Sequence, residues 1–454
     1  MYCGFDYGTS NCAMGVFEND EPQLIPLEAG KAFLPSALYA FSRDFITEGV
    51  AKSIQDDAAR REYIESRKAI LTRAQRVRRE EDYQADDQVV FYGREAFSEY
   101  YDYPDEGYFI KSPKSFLGGS GLRTEHIRFF EDIVTLMMLK VKRAVEAKTG
   151  IPLTQTVIGR PVNFQGIDAE ASNKQALEIL SVAAKRVGFL DVEFLFEPIA
   201  AGMDFERRLD KDQTVLVVDI GGGTTDCAMV RMGPSYRDKL DRTADFLAHT
   251  GERVGGNDLD IQLAGKEFMP LFGMGAPLKT GLPMPTQLFW NAVTTNDVTA
   301  QAVFNSLETK KQIEELRLDS KTPSLLDRFA YLREHKHNFH LVRNSEEAKI
   351  NLSDSNETLI SLEYIEKSLS KTLSRDQLDS AITPPLEKMM QLMSSAIEEA
   401  GETPDVIYIT GGSAKSPIIQ KQIRERIGDI PVLDGDHFGS VASGLTVWAQ
   451  RIFS

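Results

Sequence analysis

The stretch VVDIGGGTTDCAMV, residues 217–230, decides the fold that we predict for this chain. The apolar run 214–218 is typical of a buried β-strand, residues 219–226 form a turn, and the run 227–232 predicts a returning strand. Three consecutive glycines lose much chain entropy on folding and bring no side chain to pack. We therefore expect this turn to bind a ligand as well as reverse the chain.

The same pattern occurs near the start of the chain as GFDYGTSNCAMGVF, residues 4–17. An aspartate again ends an apolar run, a turn with glycine and hydroxyl residues follows, and the next apolar run begins with Cys-Ala-Met. A single Asp-x-Gly-Thr is more often an ordinary hairpin turn. However, a third glycine turn over 411–413 follows the apolar run 406–410. The ordered set indicates an internal repeat with two related lobes.

Helix and strand patterns alternate along the chain, which favours an α/β fold. The sequence predicts helices over 131–148, 169–187 and 417–427, a strand over 156–161, and a strand that passes into a helix over 195–208, with Pro198 in its first turn. We predict one lobe over residues 1–213 with the first turn, and a second over 214–430 with the other two turns and an insertion at about 269–321. Residues 431–454 are expected to form a C-terminal helix that returns to the first lobe.

Composition narrows the class of protein. The chain has 454 residues, of which 42% are apolar and 26% charged, and its formal net charge is -16. Its length predicts two or three domains, and its acidic excess argues against binding to a nucleic-acid backbone. Cys3, Cys12 and Cys227 have neither zinc-site spacing nor the density of a disulfide scaffold. No apolar run approaches the roughly 18 residues of a membrane span, so we expect a cytoplasmic protein with no membrane partner.

Turns built from aspartate, glycine and hydroxyl residues can bind phosphate. Glycine accepts positive φ, so successive backbone N–H groups can point in one direction and form an anion-binding nest. An aspartate at a strand end can hold a hydrated magnesium ion, which takes one or two carboxylates plus phosphate oxygens. Two facing turns would bind one triphosphate from both sides, which explains why the pattern occurs twice.

These motifs resemble the nucleotide-binding domain of the DnaK-type heat-shock chaperones, within the actin and sugar-kinase superfamily, and among them the short YegD-like proteins. Residues 6–11 resemble the first phosphate motif, residues 219–226 the second, and residues 406–417 the adenosine motif. FEPIAAG, 196–202, resembles the stretch that joins the lobes, and EEAKINLS, 346–353, resembles the helix that packs on adenine. The resemblance implies a two-lobed actin-like ATPase fold. Each lobe would be a ribonuclease-H-like mixed sheet with helices, and the nucleotide would lie in a cleft between the lobes.

The resemblance also implies a site for ATP or ADP with Mg²⁺. Asp6 and Asp219 are expected to hold the metal, and Glu197 to orient or deprotonate the attacking water. With Thr224 and Asp226 these form the expected catalytic set, because phosphoryl transfer requires mainly positioning and charge neutralisation. The residues expected to bind nucleotide are Gly8, Thr9, Ser10, Asn11, Gly221, Gly222, Gly223, Thr224, Thr225, Gly255, Gly256, Glu346, Lys349, Ser353, Gly411, Gly412, Ser413 and Lys415. Simpler roles are a first-turn acid for Glu197, a hairpin-end residue for Asp226 and a surface lysine for Lys349.

Three features depart from the family. Family members have a lysine shortly after a Val-Gly strand end, which reaches the terminal phosphate. Phe97 occupies that expected position here, so we expect slow or absent hydrolysis unless Arg94 or another cation substitutes. Lys415 stands where the family has arginine, whose planar guanidinium stacks better on adenine. The chain ends after a predicted helix over 440–453, and we expect it to lack the peptide-binding domain of full-length chaperones.

Three functions are compatible with these motifs. The first is an ATP-binding chaperone-family protein that acts as a nucleotide-dependent switch on a partner or client protein, with ATP hydrolysis left open. The second is a small-molecule kinase, which needs a general base near the acceptor hydroxyl; no motif for such a base is recognisable. The third is an actin-like, filament-forming ATPase. The adenine-type helix at 346–353 favours the first.

Two further segments have simple explanations. Residues 59–80 are rich in arginine on a predicted helix, and a solvated or partner-facing helix is favoured over nucleic-acid contact because the whole chain is acidic. This segment and the insertion are candidate partner surfaces. His335, His337 and His340 lack an acid or cysteine at metal-ligand spacing, so we predict a solvent-exposed cluster and no metal site there.

Overall fold

The structure of the protein, a computed structural model, describes residues 1–104, 106–164, 168–237, 239, 242–435 and 439–454, apart from the side chain of residue 243. The strands, in chain order, are β1 (Tyr2–Tyr7), β2 (Asn11–Glu18), β3 (Glu21–Leu24), β4 (Leu34–Pro35), β5 (Ala37–Ala40), β6 (Val90–Tyr92), β7 (Tyr108–Lys111), β8 (Gln155–Arg160), β9 (Asp191–Phe196), β10 (Gln213–Ile220), β11 (Thr225–Met232), β12 (Phe246–Glu252), β13 (Glu357–Ser361), β14 (Ser370–Ser374), β15 (Val406–Thr410) and β16 (Val432–Asp434). The helices are α1 (Arg43–Ser53), α2 (Asp57–Ser66), α3 (Lys68–Glu80), α4 (Gly93–Asp102), α5 (Thr124–Thr149), α6 (Ala169–Arg186), α7 (Glu197–Glu206), α8 (Gly256–Leu263), α9 (Gln287–Val293), α10 (Val298–Phe304), α11 (Leu307–Asp319), α12 (Pro323–Glu334), α13 (Asn338–Asp354), α14 (Arg375–Ala400), α15 (Pro417–Ile427) and α16 (Ser440–Phe453).

Two sheets of the chain share one order of five strands. The first runs β3-β2-β1-β8-β9, with the short β4 also paired to β2, and the second runs β12-β11-β10-β15-β16. In each sheet the first three strands are antiparallel, and the last two are parallel to the central strand. The repeated turn in the sequence therefore reflects a repeated sheet, and the predicted α/β class with mixed sheets is confirmed.

The chain divides into two compact units. Unit 1 comprises residues 1–253, 392–414 and 427–454, and unit 2 comprises residues 254–391 and 415–426. Both of these sheets lie in unit 1, one from each predicted lobe. The lobe boundary predicted at residue 213 stays a prediction.

Within unit 1, the helices α7 and α16 lie between the two sheets. α16 packs on β1, β2, β3 and β8, while α7 packs on β10, β11 and β15, and the two helices contact each other. Gly444 of α16 lies directly against the Ala200 carbonyl of α7, so the backbones approach closely. Val217, Tyr408 and Leu445 are buried in the core between the sheets, where each large side chain contributes about 1.5–3 kcal/mol by leaving water. This packing holds the ends of the central strands β1 and β10 in a defined relation.

The other face of the first sheet is covered by helices. α6 matches its predicted bounds closely, while α5 begins at Thr124, before its predicted start at residue 131. α5 packs on α6, α1 and β2. A large apolar core that includes Phe5, Met14, Met137 and Leu180 fills the space between them. The alternation of strands and helices seen in the sequence thus produces a sheet with a helical layer on each face.

The basic segment 59–80 differs from its prediction as a single helix. It forms two helices, α2 and α3, which are separated at Arg67. The break follows from burial, because the Arg67 side chain turns inward and reaches Glu131 and Asp132 at 3.5 Å. Other cations of the segment pair with acids: Arg60 with Asp57, Lys68 with Glu65, Arg73 with Asp44, Arg76 with Glu80, and Arg78 with Glu48. Local acids therefore neutralise much of this basic charge.

Unit 2 contains α8 to α13 and the hairpin β13–β14. Residues 269–321 are part of its core, since Met269, Phe272 and Phe289 are fully buried, and Phe289 packs on Phe329 with ring centroids 4.5 Å apart. The segment includes the helices α9, α10 and α11. Within the described part of the chain, every helix is too short or too polar to span a bilayer.

Candidate functional site

The first two glycine turns each join the central strand of a sheet to its antiparallel neighbour. Asp6 near the end of β1 is paired with Ala13, and Asp219 near the end of β10 is paired with Asp226. The second turn closes with a hydrogen bond of 2.9 Å from Gly221 N to Thr224 O. The two predicted hairpins are therefore confirmed, and each presents an aspartate beside its turn.

The two turns are in direct contact within unit 1. A Cβ atom on Gly222 would collide with Ser10 Oγ, and one on Gly223 would lie 3.1 Å from Ser115 Oγ. Gly222 therefore allows the second turn to approach the first. The predicted phosphate-binding residues of both turns are thus brought together.

The third glycine turn lies against the second. Gly411 has φ of +90°, where side chains are disfavoured, and a Cβ atom there would collide with Ile220 O and lie 3.1 Å from Asp219 Oδ1. Gly412 and Ser413 continue into a short 3₁₀ turn over Gly412–Lys415. Glycine at 411 is required both by its backbone conformation and by the closeness of β10. This part of the adenosine motif therefore adjoins the aspartate end of the second sheet.

Four carboxylates interact around this junction: Asp6, Glu197, Asp219 and Asp226. Glu197, Asp219 and Asp226 are each less than a tenth exposed. Burial, with the charge of Glu197, raises the pKa of Asp226 to about 7, and the same two causes raise the pKa values of Asp6 and Asp219. The cluster carries more negative charge than its surroundings offset. It therefore favours a cation.

Lys114 is a candidate functional residue that the sequence motifs did not reveal. It is buried, donates hydrogen bonds to Glu197 Oε1 and to Gly159 O, the latter at 3.4 Å, and forms an ion pair with Glu197. Burial opposes its charge, but Glu197 and the neighbouring aspartates outweigh this effect and raise the pKa of Lys114 above its usual value. The site therefore contains a permanent ammonium. The signal was available in FIKSPKSFLGG, 109–119, where a lysine follows a strand and a tight turn and precedes two glycines.

Phe97 and Arg94 lie in other environments. The Phe97 ring packs on Phe109, with centroids 5.2 Å apart, and Arg94 pairs with Glu28 at 2.5 Å and donates to Phe33 O. Lys114 is therefore the candidate for the other cation that the sequence left open, and its role in hydrolysis stays a prediction. The cation comes from the segment after β7, which lies further along the chain than expected.

The hydrogen bonds of the Asp226 carboxylate indicate whether the site fits Mg²⁺. Its Oδ1 atom accepts a hydrogen bond of 2.8 Å from Val162 N, while its Oδ2 atom is buried and has no hydrogen-bond partner among the described residues. No group of three or more His, Cys, Asp or Glu side chains among the described residues is arranged to hold a metal by itself. This combination fits Mg²⁺, which keeps most of its waters and takes few carboxylates together with phosphate oxygens.

A cavity of about 20 Å³ lies beside the turns, lined by Thr9, Lys114, Ser115, Pro161, Phe164, Gly223, Thr224 and Arg253. A cavity of this size admits a water-sized group. Its lining combines hydroxyl residues, a glycine turn and two cationic side chains, which are the groups that bind phosphate oxygens. One oxygen of a terminal phosphate would match both this size and this chemistry.

Unit 2 carries the other predicted nucleotide residues. Gly255 and Gly256 begin α8, where Asp258 accepts a hydrogen bond of 2.8 Å from Gly255 N. Lys349 of α13 pairs with Asp260 at 2.7 Å and donates to Gly256 O at 3.1 Å. Lys349 therefore fixes α8 to α13 and is not a solvated surface lysine.

The remaining predicted residues of unit 2 are Glu346, Ser353 and Lys415. Ser353 Oγ donates to Lys349 O at 3.2 Å, and Glu346 pairs with Arg343 at 2.7 Å. Lys415 is the first residue of the second segment of unit 2. Their contact with adenosine stays a prediction.

The histidine cluster differs from its prediction as solvent-exposed. His340 is stacked on Tyr364 with centroids 3.9 Å apart, and His335 is stacked on Tyr331 at 4.0 Å. Burial, with the charge of His337, lowers the pKa of His340 to about 4. The three histidines are half-buried, and they form an aromatic stack in unit 2.

Comparison with known proteins gives two family-level matches. The model of the family "Hsp70 protein" matches residues 328–451, and that of the family "MreB/Mbl protein" matches residues 124–260. The chaperone protein DnaK of Thermus thermophilus, in each of two strains, is 25% identical over 331 residues, which cover 70% of this chain and 43% of each relative. The chain thus spans less than half the length of the curated relatives it matches. The narrower resemblance to YegD-like proteins stays a prediction.

Proposed function

We propose that the chain, which is similar to Hsp70 and MreB/Mbl proteins over parts of its length, binds ATP at the two glycine turns of unit 1, hydrolyses it, and acts as a nucleotide-dependent switch on a partner protein. The observation that carries this proposal is the buried ammonium of Lys114 among four carboxylates, at the place where the two turns meet. A structural core has no need of such a concentration of charge, whereas phosphoryl transfer requires it.

The chain's own residues have separate roles in this proposal. Backbone N–H groups of residues 8–11 and 222–225 bind phosphate oxygens, as a nest of N–H groups does, while Gly221 N closes the second turn. Lys114 neutralises charge on the transferring phosphoryl group. Glu197, positioned by Lys114 and by its place in the first turn of α7, orients the attacking water and accepts its proton.

The acid cluster would hold the metal that accompanies ATP. Asp6 and Asp219, with the unpartnered Asp226 Oδ2, are the groups that fit Mg²⁺ and its waters. The ion would supply charge neutralisation for the phosphate oxygens. Because it would also offset the excess of carboxylates, we expect the site to be most stable with both metal and nucleotide bound.

The test is single-turnover hydrolysis of magnesium-ATP by the purified chain, beside Asp219→Asn and the control Lys52→Ala, which removes a half-exposed lysine of α1 paired with Glu48. We expect the parent and the control to release phosphate and Asp219→Asn to lose at least about 100-fold in rate. ATP binding without cleavage by the parent would refute the hydrolysis step. Failure to bind ATP would refute the proposal as a whole.

Partner contact is proposed for the segment 269–321. Its helices expose apolar side chains, among them Leu307 at 79% and Leu318 at 65%. Amide hydrogen exchange with and without ATP tests this assignment. Protection of the segment that changes with nucleotide supports it, and identical exchange in both states removes it.

A second candidate is an actin-like, filament-forming ATPase, which the MreB/Mbl match over residues 124–260 favours. Sedimentation in the presence of ATP and of ADP separates the two functions. Pelleting that depends on ATP and on protein concentration would favour the filament. A chain that stays in the supernatant at every concentration would favour the switch.

A further inference from the structure

Arg253 reaches the glycine turn because of the register of the second sheet. β12 runs antiparallel to β11, and Thr225 is paired with Glu252, while Asp226 is paired with Gly251. The residue that follows Glu252 therefore lies opposite Thr224, within the turn. A Cβ atom on Gly251 would collide with Asp226 Oδ1, which shows how closely β12 approaches the acid cluster.

The cavity beside the turns places Arg253 together with Lys114. Both side chains line it, with the hydroxyl residues Thr9, Ser115 and Thr224. Lys114 is tied to Glu197 and faces the carboxylates. Arg253 belongs to a different strand end and is half-buried. Two cations that arrive from separate elements thus share one small cavity next to a phosphate-type turn.

The negative charge of the terminal phosphate of ATP requires more than one cation beside the turns. Lys114 already offsets part of the negative charge of Glu197 and the aspartates, so its ammonium alone leaves a terminal phosphate undercompensated. A guanidinium presents its donors in a planar fork that matches two phosphate oxygens, which an ammonium cannot do. Such a contact counts most when charge spreads over the equatorial oxygens in the transition state.

We propose that Arg253 binds the terminal phosphate of ATP on the side opposite Lys114, so that it selects ATP over ADP and accelerates hydrolysis. The inference rests on the proposed function, since it assigns a residue to the same nucleotide site. It assigns Arg253 a direct contact with the transferring group and a role in distinguishing the triphosphate from the diphosphate.

The test compares Arg253→Gln and Arg253→Lys with the parent and with the control Arg231→Gln, which removes an exposed arginine of the neighbouring strand β11 paired with Glu402. Titration calorimetry with ADP and with a non-hydrolysable ATP analogue, both with Mg²⁺, gives the ratio of affinities. Single-turnover hydrolysis gives the rate. The measurements use the full chain.

We expect Arg253→Gln to keep the parent's ADP affinity, to lose about tenfold in affinity for the ATP analogue, and to lose at least about 100-fold in hydrolysis rate. Arg253→Lys, which keeps the charge without the fork, should recover part of the affinity and little of the rate. Arg231→Gln should match the parent.

Two results would overturn the inference while the proposed function stands: unchanged ATP selectivity and rate in Arg253→Gln, or an equal loss of ADP and ATP affinity, which would mean that Arg253 supports the fold. If the parent binds no nucleotide, the proposed function fails first and this inference fails with it. The parent measurement therefore separates the two failures.

Discussion

Lys114 Nζ donates a hydrogen bond to Glu197 Oε1, although the two residues are 83 positions apart in the chain. Both side chains are buried. One comes from the segment after β7 and the other begins α7. Their pairing places a cation at the junction of two equivalent glycine turns, beside three aspartates. This relation provides a cation for the nucleotide site that we propose, and the sequence motifs did not place a lysine there.

Removal of Lys114 should both destabilise the fold and abolish hydrolysis. Lys114→Met keeps the length of the side chain but leaves the carboxylates uncompensated, so we expect a loss of about 3 kcal/mol in the free energy of unfolding, measured by urea denaturation without nucleotide. The double variant Lys114→Met/Glu197→Gln should recover part of that loss, because one buried charge is removed as well. Equal stability of the parent and Lys114→Met would contradict the prediction.

Phe97→Lys should not create or accelerate ATP hydrolysis. Phe97 packs on Phe109 and Tyr101, so a lysine there loses this contact and gains no access to the acid cluster. We expect an unchanged single-turnover rate and a free energy of unfolding lower by about 1–3 kcal/mol. Glu95→Lys introduces the same side chain on the exposed side of α4 and serves as control. A faster rate for Phe97→Lys alone would show that the site extends to α4.

Gly222→Ala should disrupt contact between the two turns. Its Cβ atom would collide with Ser10 Oγ, so the turns must separate or Ser10 must rotate. We expect a loss of about 1–3 kcal/mol in the free energy of unfolding and about tenfold weaker ATP binding. Gly221→Ala is the matched control in the same turn, since its Cβ atom would meet only Thr224, with the carbonyl oxygen at an ordinary 3.4 Å. Similar behaviour of the two variants would count against the steric explanation.

Arg67→Met should show that the basic segment has a structural role. Arg67 is buried against Glu131 and Asp132, which Arg186 also contacts. We expect a loss of about 3 kcal/mol in the free energy of unfolding, because two acids lose one of their two cations. Arg60→Ala removes an exposed pair with Asp57 and should change stability by less than about 0.5 kcal/mol. Thermal unfolding of both variants, monitored by circular dichroism, measures these changes in stability. An equal effect of the two substitutions would contradict the prediction.

His340 should make the stability of unit 2 depend on pH. Burial and His337 lower its pKa from 6.5 to about 4 in the folded chain. Between these values the unfolded chain binds a proton that the folded chain does not, so stability falls as pH falls through this window and is fully present above pH 6.5. His340→Phe keeps a ring on Tyr364 and should lose this part of the pH dependence. The effect is measured as the change in the urea midpoint between about pH 5 and about pH 7.5. An equal change for the parent and for His340→Phe would refute the prediction.

Local patterns in the sequence determined the secondary structure and the class of fold. The hairpins at residues 6–11 and 219–226, the helices α6, α15 and α16, and the turn after β15 follow from apolar periodicity and glycine placement, which neighbouring residues encode. The same patterns placed Asp6, Asp219 and Asp226 at strand ends, where the structure has them.

Only the tertiary structure decided which side chains meet. Lys114 and Arg253 reach one cavity from different segments, Val162 N reaches Asp226, and Arg67 interrupts a basic helix because its partners lie on α5. Strand register and the packing of α7 against α16 bring these groups together, and neither property is expressed in the residues next to them. The sequence by itself therefore determined the two turns and their acids, while long-range packing supplied the cations and the close contact that make them one site.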